Sequence, residues 1–152
     1  MQAIITAGGM FKADNPLFIE TGIANKALLP IGGKPMVQWV AEALGESQHV
    51  DGLVVVGLKD GDFDSGSTPV QYLESRGNLV DNVLAGIDAA QGADPAADKA
   101  ILCSSDIPLI TGPIVDEFVQ TCLADDAEIH YAVVEEKTME ARFPNSNRTF
   151  TP

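Results

Sequence analysis

Two glycines, one lysine and one aspartate are the residues of this sequence whose types and order suit the binding of a phosphate group. Gly8 and Gly9 follow a short apolar run, and Lys26 is an isolated cation in the polar stretch after them. Glycines let backbone N–H groups approach an anion without side-chain obstruction, and a lysine on a loop reaches phosphates as a point charge. Asp106 follows a later apolar run, and a carboxylate there suits Mg²⁺ that is bound together with substrate phosphates.

Each member of this set also has a plainer interpretation. A pair such as Gly8-Gly9 is a simple turn in many proteins, a single aspartate after a strand often caps a helix, and a lone lysine is usually solvated. Residues 8–15 lack both the Gly-Lys-Ser/Thr end of a Walker A loop and the three-glycine spacing of a dinucleotide site. The prediction of a phosphate site therefore depends on the four residues occurring together.

The apolar segments around these residues predict an α/β fold. Buried strands are predicted at residues 2–6, 53–56 and 100–103, with further strands at 70–73 and 128–135. Helices are predicted after Pro35, from an Asn78 cap through residue 90, and at 113–123 after a Thr111 cap, whereas residues 7–34 are predicted to be mostly loop. Strands that alternate with helices favour a mostly parallel sheet with right-handed connections.

The spacing of apolar residues predicts which side of each helix faces the core. In the first helix, the i, i+3, i+4, i+7 spacing of one buried face is formed by Val37, Val40, Ala41 and Leu44. In the next two helices, the predicted inward residues are Leu79, Val83, Leu84 and Ile87, and then Ile114, Phe118 and Leu123. Ligands of such sheets bind beyond the carboxyl ends of the strands, so Gly8-Gly9 and Asp106 are expected to meet there.

The composition argues against several classes of function. Nine basic residues against 22 acidic ones give a net charge of −13, which disfavours a nucleic-acid surface of clustered Lys and Arg. The acidic excess fits either a salt-adapted protein or ordinary solubility, and local donors must overcome its field where the ligand is an anion. No apolar run approaches the ~20 residues of a membrane span. No basic region precedes the first apolar run, so no secretory signal is predicted and the cytoplasm is expected.

Other reactive residue types lack the spacing that a site requires. Cys103 and Cys122 have no CxxC spacing and are predicted to be small buried side chains. His49 and His130 are isolated and are predicted to be structural or at the surface. The acidic loop at residues 59–67 has its glycine too early for a calcium site and no closing glutamate.

The order "apolar strand, Ala-Gly-Gly, loop, Lys-x-Leu-Leu-Pro-x-x-Gly-Lys-Pro-Met, helix" resembles the MobA-like NTP transferases. Residues 77–87 (GNLVDNVLAGI) resemble the turn and helix of that family near the base, and residues 103–110 (CSSDIPLI) resemble its metal-binding segment. The resemblance covers roughly residues 2–125. It implies a Rossmann-like three-layer α/β/α fold with a mostly parallel sheet, of the nucleotide-diphospho-sugar transferase type.

The resemblance assigns the triphosphate side of a site to the first segment of the chain. Ala7, Gly8 and Gly9 would contact the nucleotide. Lys26 would bind the triphosphate and stabilise charge at the α-phosphorus. Lys12 stands where the family usually carries a catalytic arginine in the glycine loop, and the residue before Lys26 is an asparagine instead of the usual proline.

The later segments would complete the site. Asn78 and Asn82 would lie near the base or ribose, and Asp106 would hold Mg²⁺. The implied activity is Mg²⁺-dependent transfer of NMP from an NTP to a phosphorylated small-molecule acceptor, with release of pyrophosphate. Neither nucleic acid nor membrane is an expected partner, and an oligomer is compatible with the sequence.

Residues 1–152 are expected to form a single domain of this kind that lacks the C-terminal part of the family pattern. One alternative is a non-catalytic nucleotide-binding or regulatory module, which the altered glycine loop favours. A second is a glycosyltransferase that uses a nucleotide-sugar, although that class usually shows Asp-x-Asp where this sequence has Ser-Ser-Asp. The base and the acceptor are open at this point.

Overall fold

The computed structural model describes residues 1–145 and 149–150 of the chain. These residues belong to two compact units, Met1–Gln120 and Thr121–Pro152. The strands, in chain order, are β1 (Gln2–Thr6), β2 (Pro30–Ile31), β3 (Lys34–Pro35), β4 (Gly52–Val56), β5 (Val70–Leu73) and β6 (Ile101–Ser104). The helices are α1 (Pro16–Thr21), α2 (Met36–Gly45), α3 (Leu79–Ala93), α4 (Gly112–Leu123) and α5 (Glu136–Arg142), with a short 3₁₀ turn at Lys26–Leu28. No helix in the part of the chain described has both the length and the apolar character to cross a bilayer.

The first unit is built on a four-stranded parallel sheet in the order β5-β4-β1-β6. Two apolar clusters cover it, because neighbouring residues of a strand point to opposite faces. Ile5 packs with the buried face of α2, and Ile4 packs with Ala90 of α3. β4 is buried along its whole length, as expected of a parallel strand that is covered on both sides. The predicted α/β fold with a mostly parallel sheet is confirmed.

Helix α2 faces the sheet as its spacing predicts. Its four predicted inward residues are all fully buried: Val37, Val40, Ala41 and Leu44. The helix begins one residue after Pro35, which belongs to β3 and occupies the cap position. Trp39 lies at the edge of the helix, where its indole N–H donates to the Ile31 carbonyl at 2.8 Å and its ring lies 3.6 Å from the Lys34 ammonium. Lys34 also pairs with Glu42, and this hydrogen bond is the main reason why the pKa of that carboxyl is lowered.

The inward face predicted for helix α3 is wrong. Leu79, Leu84 and Ile87 are exposed, and the buried positions are Asn82, Gly86 and Ala90. The reason is a close approach to the sheet, because a Cβ added at Gly86 would lie 2.4 Å from Ile4 Cγ2. The helix face in contact with the sheet therefore carries small residues and the hydrogen-bonded Asn82. The prediction was wrong because it placed the largest apolar side chains on that face. The helix also continues to Ala93, three residues beyond its predicted end.

Two glycines of α3 give a matched test of this packing. Gly92→Ala should stabilise the fold by about 0.5–1 kcal/mol through helix propensity, because nothing lies within 4 Å of a Cβ at that position. Gly86→Ala gains the same propensity but must displace Ile4, so we expect a net loss of about 1–2 kcal/mol. Denaturant unfolding of both variants measures the difference. Equal stability of the two would contradict the close approach.

Helix α4 also turns a different side inward than its pattern predicts. Gly112, Val115 and Val119 are buried, whereas Ile114 is 52% exposed. Phe118 and Leu123 are likewise among the exposed apolar residues. The carboxylate of Asp116 accepts hydrogen bonds from Ser47 Oγ at 2.6 Å and from the Gln48 N–H at 3.0 Å. These bonds help to fix the rotation of the helix about its axis, and Asp116 thereby joins α4 to the residues after α2.

The second unit lacks the strand that was predicted at residues 128–135. That segment is irregular in the structure, and Ile129, Tyr131 and Val133 are each at least 80% exposed. A strand needs a neighbour for its backbone N–H and C=O groups, and the described part of this segment pairs with none. The alternation of apolar residues in this segment is therefore compatible with extended backbone, but it does not specify a neighbouring strand with which to pair. α5 follows directly and buries none of its residues.

Residues 7–34 contain more structure than the predicted loop. Pro16 begins α1 at its first helical position, and the Asn15 side chain caps it by accepting from the Leu17 N–H at 2.9 Å. Gly22 ends it in the left-handed conformation. An antiparallel bridge between Met10 and Asn25 joins the two ends of the segment that contains α1. Pro16 and Gly22 thus delimit a short helix within the segment that was predicted to be mostly loop.

Candidate functional site

A cavity of about 630 Å³ opens in the first unit at the carboxyl ends of the strands. The backbone after β1, the loop that contains Lys26, the start of α3 and the residues after β6 contribute to its walls. Most of the residues predicted for a site meet here, namely Gly8, Gly9, Lys26, Asn78, Asn82 and Asp106. This is the position that the strand order of an open α/β sheet favours for a ligand.

The turn after β1 lies directly against the turn after β4. Gly57 has a φ of +103°, and a Cβ at this residue would lie 2.4 Å from Gly8 Cα and 2.5 Å from Gly8 N. Ala7 joins the two strands below this contact, because its N–H donates to the Val56 carbonyl at 2.8 Å. Two backbone segments can approach so closely only where neither carries a side chain. Gly57 therefore sets the position of the predicted phosphate-binding turn.

Gly57→Ala should destabilise the fold by about 2–5 kcal/mol, from the left-handed φ together with the overpacking against Gly8. Gly61→Ala is the matched control, because Gly61 has a φ of +86° and no atom within 4 Å of an added Cβ. Urea unfolding of both variants separates the strain from the contact, since the control carries only the strain. A Gly57→Ala variant no less stable than the control would refute the close approach.

Three successive backbone N–H groups lie at this turn, beside the cavity. Within the described residues, the N–H groups of Gly8, Gly9 and Met10 donate to no other group of the chain. The bridge that holds this segment uses the Gly9 carbonyl, which accepts from the Lys26 N–H at 2.9 Å, and the Phe11 N–H. A run of unpaired donors that borders a cavity suits an anion.

Lys26 is the cation of this cavity. Its side chain is exposed, and it pairs with no carboxylate in the described part of the chain. Its stem passes the glycine turn, because a Cβ added at Gly9 would lie 3.5 Å from Lys26 Cδ. The structure places the other two predicted residues differently. Lys12 is exposed and does not line the cavity, and Ala7 is buried beneath it, so their contact with a nucleotide stays a prediction.

Asn82 lies in the wall of the cavity directly beside the glycine turn. Its side chain is 6% exposed, and its Oδ1 accepts from the Arg76 N–H at 2.6 Å. Ser75 Oγ lies 3.5 Å from the same oxygen. A Cβ at Gly8 would lie 2.8 Å from Ser75 Oγ and 3.1 Å from Asn82 Nδ2. Asn82 therefore positions the turn after β5.

Asn78 caps α3 at the rim of the cavity. Its Oδ1 accepts from the Asp81 N–H at 3.0 Å, and its Nδ2 donates to the Asp81 carboxylate at 2.6 Å. The predicted helix cap is confirmed, and both bonds occupy the side chain. The amino end of α3 carries the positive end of the helix dipole, so this rim favours an anion, although Asp81 offsets part of that potential.

Asp106 stands on the other side of the cavity, after β6. One of its carboxylate oxygens accepts a hydrogen bond from Ser104 Oγ. The neighbouring thiol of Cys103 is buried, and burial is the first cause that raises its pKa to about 11, with the Asp106 charge second. Cys103 thus remains a neutral thiol at physiological pH and is unsuited to act as a nucleophile. Its predicted role as a small buried side chain is confirmed.

The donor set suits a magnesium ion that shares its ligands with phosphates. Among the described residues, no group of three or more His, Cys, Asp or Glu side chains could hold a metal by itself. Of the carboxylates in the described part of the chain, Asp106 is the one that lines the cavity. Magnesium commonly binds through one or two carboxylates with the remaining positions taken by substrate phosphates and water. Asp106 therefore fits a metal that arrives with a phosphorylated ligand, and it does not fit a permanent protein-only cage.

Sequence reasoning missed the small residues that complete the walls. Thr6 ends β1, and its register partner Ser104 ends β6 beside it. Ser105, Gly57 and Ser75 each follow the end of a strand. The available signal was their shared position, because small or polar residues directly after parallel strands face the ligand edge of the sheet.

Comparison with known proteins gives one family and a common fold. The profile described as the MobA-like NTP transferase domain matches residues 3–144. A hypothetical transferase from Thermus thermophilus is 31% identical, with a TM-score of 0.68, and the match covers 97% of this chain and 57% of that one. No curated protein matches the sequence.

Two further solved structures share the fold at lower identity. A nucleotidyl transferase from Methanothermobacter thermautotrophicus is 20% identical with a TM-score of 0.57, and the match covers 78% of this chain and 56% of that one. A CMP-2-keto-3-deoxy-manno-octonic acid synthetase in complex with CTP is 20% identical with a TM-score of 0.57, and the match covers 83% of this chain and 48% of that one. This chain therefore spans about half the length of these proteins. The predicted nucleotide-diphospho-sugar transferase type of fold is confirmed.

Proposed function

The chain belongs to the MobA-like NTP transferase family, and from that premise we propose that it transfers NMP from an NTP to a phosphorylated small-molecule acceptor. The observation that carries this proposal is that one cavity is lined by the glycine turn, Lys26 and Asp106. Free backbone donors, one unpaired lysine and one carboxylate are the groups that a metal-bound triphosphate needs. The proposal concerns the nucleotide half of the reaction, which these residues can bind.

The chemistry proposed is an in-line displacement at the α-phosphorus. A phosphate oxygen of the acceptor forms a new bond to the α-phosphorus while the bond from that phosphorus to the β-bridging oxygen breaks, so pyrophosphate leaves with that electron pair. No covalent enzyme intermediate is needed, and the chain contributes position and charge. Lys26 would bind the phosphate oxygens, and the N–H groups of Gly8 and Gly9 would hold the triphosphate against the end of β1.

Asp106 would hold Mg²⁺ in this site, together with phosphate oxygens of the NTP. The bound ion would neutralise negative charge on the phosphate groups of the NTP during the transfer. Ser104 orients the carboxylate through the hydrogen bond to one of its oxygens. The acidic surface elsewhere, with a net charge of −13, makes nucleic acid an unsuitable partner. The cytoplasm, which supplies NTPs and Mg²⁺, is the compartment that we propose.

The test is a screen of the four NTPs with and without Mg²⁺. Thermal unfolding measures binding, because a ligand at about a hundred times its dissociation constant stabilises the native state by about 2.7 kcal/mol. Pyrophosphate release with a set of sugar phosphates and other phosphorylated acceptors measures turnover. We expect one NTP to stabilise the chain in a Mg²⁺-dependent way and to release pyrophosphate with at least one acceptor. If none of the four NTPs stabilises the chain, the proposed site is refuted.

A second candidate function is a nucleotide-binding module without turnover. It is favoured by the position of Lys12, which replaces the usual arginine of the family's glycine loop and does not line the cavity. The same screen distinguishes the two functions. Stabilisation by an NTP without pyrophosphate release from any acceptor would favour the module over the transferase.

A further inference from the structure

We propose that Asn25 is a positioning residue that fixes Lys26 against the glycine turn of the site. The inference rests on the proposed function, because the role of Lys26 belongs to that proposal. Asn25 stands directly before Lys26, at the position where this family usually has a proline. Asn25 does not line the cavity, so it would act through Lys26 and not on the substrate.

Asn25 is a buried polar side chain with its hydrogen-bonding groups in use. It is 9% exposed, and its Nδ2 donates to the Ala7 carbonyl at 2.8 Å and to the Gly57 carbonyl at 3.3 Å. Its Oδ1 accepts from the Ala27 N–H at 2.9 Å. A buried amide whose donors and acceptor are satisfied favours one arrangement, because a shift would leave a largely buried polar group unpaired.

The two donor bonds connect Asn25 to neighbouring strands of the sheet. Ala7 directly follows β1 and Gly57 directly follows β4. The turns after these two strands meet here, because a Cβ added at Gly57 would lie 2.4 Å from Gly8 Cα. Asn25 therefore ties its own segment to the one point in the sheet where the position of the glycine turn is determined.

The acceptor bond determines the direction of the next residue. By accepting from the Ala27 N–H, Asn25 caps the 3₁₀ turn Lys26–Leu28 on its amino side. Lys26 is the first residue of that turn, and its own N–H donates to the Gly9 carbonyl at 2.9 Å. The backbone of Lys26 is thus held by the capped turn on one side and by the Gly9 carbonyl on the other. Asn25 connects the capped turn to the strand ends beside the glycine turn.

The test separates the cap from the links between strands. In Asn25→Ser the hydroxyl can still cap the turn, but it is too short to reach both carbonyls. Asn15→Ser is the matched control, because Asn15 caps α1 in the same manner through the Leu17 N–H and contributes nothing to the cavity. Asn25→Thr is the second variant, since a β-branched residue suits the extended backbone at φ −89°, ψ 123° and replaces more of the lost volume.

We expect Asn25→Ser to lower kcat for pyrophosphate release by about 10–100-fold, the order that a misplacement of about 1 Å causes. Asn15→Ser should leave kcat unchanged. In a Lys26→Ala background the effect of Asn25→Ser on kcat should vanish, because the residue acts through Lys26, while its effect on melting temperature should persist. Equal loss of kcat in both backgrounds, or a changed melting temperature with unchanged kcat, would overturn the positioning role.

Calorimetric titration with inorganic tripolyphosphate keeps this inference separate from the proposed function. Binding of the probe that weakens in both Lys26→Ala and Asn25→Ser, without pyrophosphate release by the parent chain, would refute the transferase and support the role of Asn25. Binding that weakens in Lys26→Ala but not in Asn25→Ser or Asn25→Thr would overturn that role. A parent chain that binds neither tripolyphosphate nor any NTP would refute both.

Discussion

Lys26→Ala should lower the rate of pyrophosphate release by about 10²–10³-fold, the loss typical when one group that stabilises developing charge is removed. The lysine is the cation that lines the described cavity, and no carboxylate of the described residues neutralises it. Its side chain is exposed, so its removal should change the free energy of unfolding by no more than about 0.5 kcal/mol. Steady-state kinetics and urea unfolding of the same preparation measure both quantities.

The control for this prediction is Lys59→Ala, which removes an exposed lysine from the acidic loop outside the cavity. It carries the same change of net charge, so it accounts for any general effect of the protein's field on an anionic substrate. Lys26→Arg keeps the charge with a different donor geometry and should retain part of the activity. Rate and stability lost to the same degree in Lys26→Ala would show that the lysine supports the fold instead of the reaction.

The sequence was sufficient to predict the strands of the four-stranded sheet and the edge of that sheet at which most candidate site residues line one cavity. Runs such as residues 53–56 are continuous, apolar and rich in valine, a pattern typical of a parallel strand that is covered on both faces. Their C-terminal ends had to meet at one edge, which brought Gly8, Gly9 and Asp106 together before any distance was known. Topology, more than side-chain detail, determined this part of the site.

The inward faces of α3 and α4 could not be predicted, because they depend on how closely each helix approaches its neighbour. Large apolar residues such as Leu84 and Ile114 satisfied the spacing but are exposed. The contacts are made at Gly86 and Gly112, where a Cβ would lie 2.4 Å from Ile4 Cγ2 and 2.9 Å from Glu46 Cβ. Periodicity contains no information on the distance between a helix and the element it packs against, so it favoured the larger side chains.

The site residues that escaped prediction act through tertiary contacts. Gly57 is one of many glycines in the sequence, and its importance appears only when its turn meets Gly8. Asn25 reads in the sequence as a substitution next to Lys26, and its three hydrogen bonds join segments as far as 32 residues apart. Local patterns cannot show the two bonds that Asn25 donates, because their acceptors, the carbonyls of Ala7 and Gly57, are distant in the chain.

Asp106→Asn should lower the rate of pyrophosphate release by at least about 10²-fold at low Mg²⁺, the order of loss seen when a group holding a metal or its ligands is removed. The substitution keeps the shape of the side chain and an oxygen that can accept from Ser104 Oγ, but it removes the charge. The native fold should persist, because Asp106 is exposed and its neighbour Cys103 remains a buried, neutral thiol. Titration of the rate with Mg²⁺ measures the effect, and the midpoint should move to a higher concentration.

Asp88→Asn is the matched control, because Asp88 is an exposed carboxylate of α3 that does not line this cavity. It should leave the magnesium midpoint where it is in the parent chain. A partial return of Asp106→Asn activity at high Mg²⁺ is expected, since substrate phosphates supply the remaining ligands. An unchanged midpoint in Asp106→Asn would remove this carboxylate from the metal site, and the hydrogen bond from Ser104 would then serve only the turn after β6.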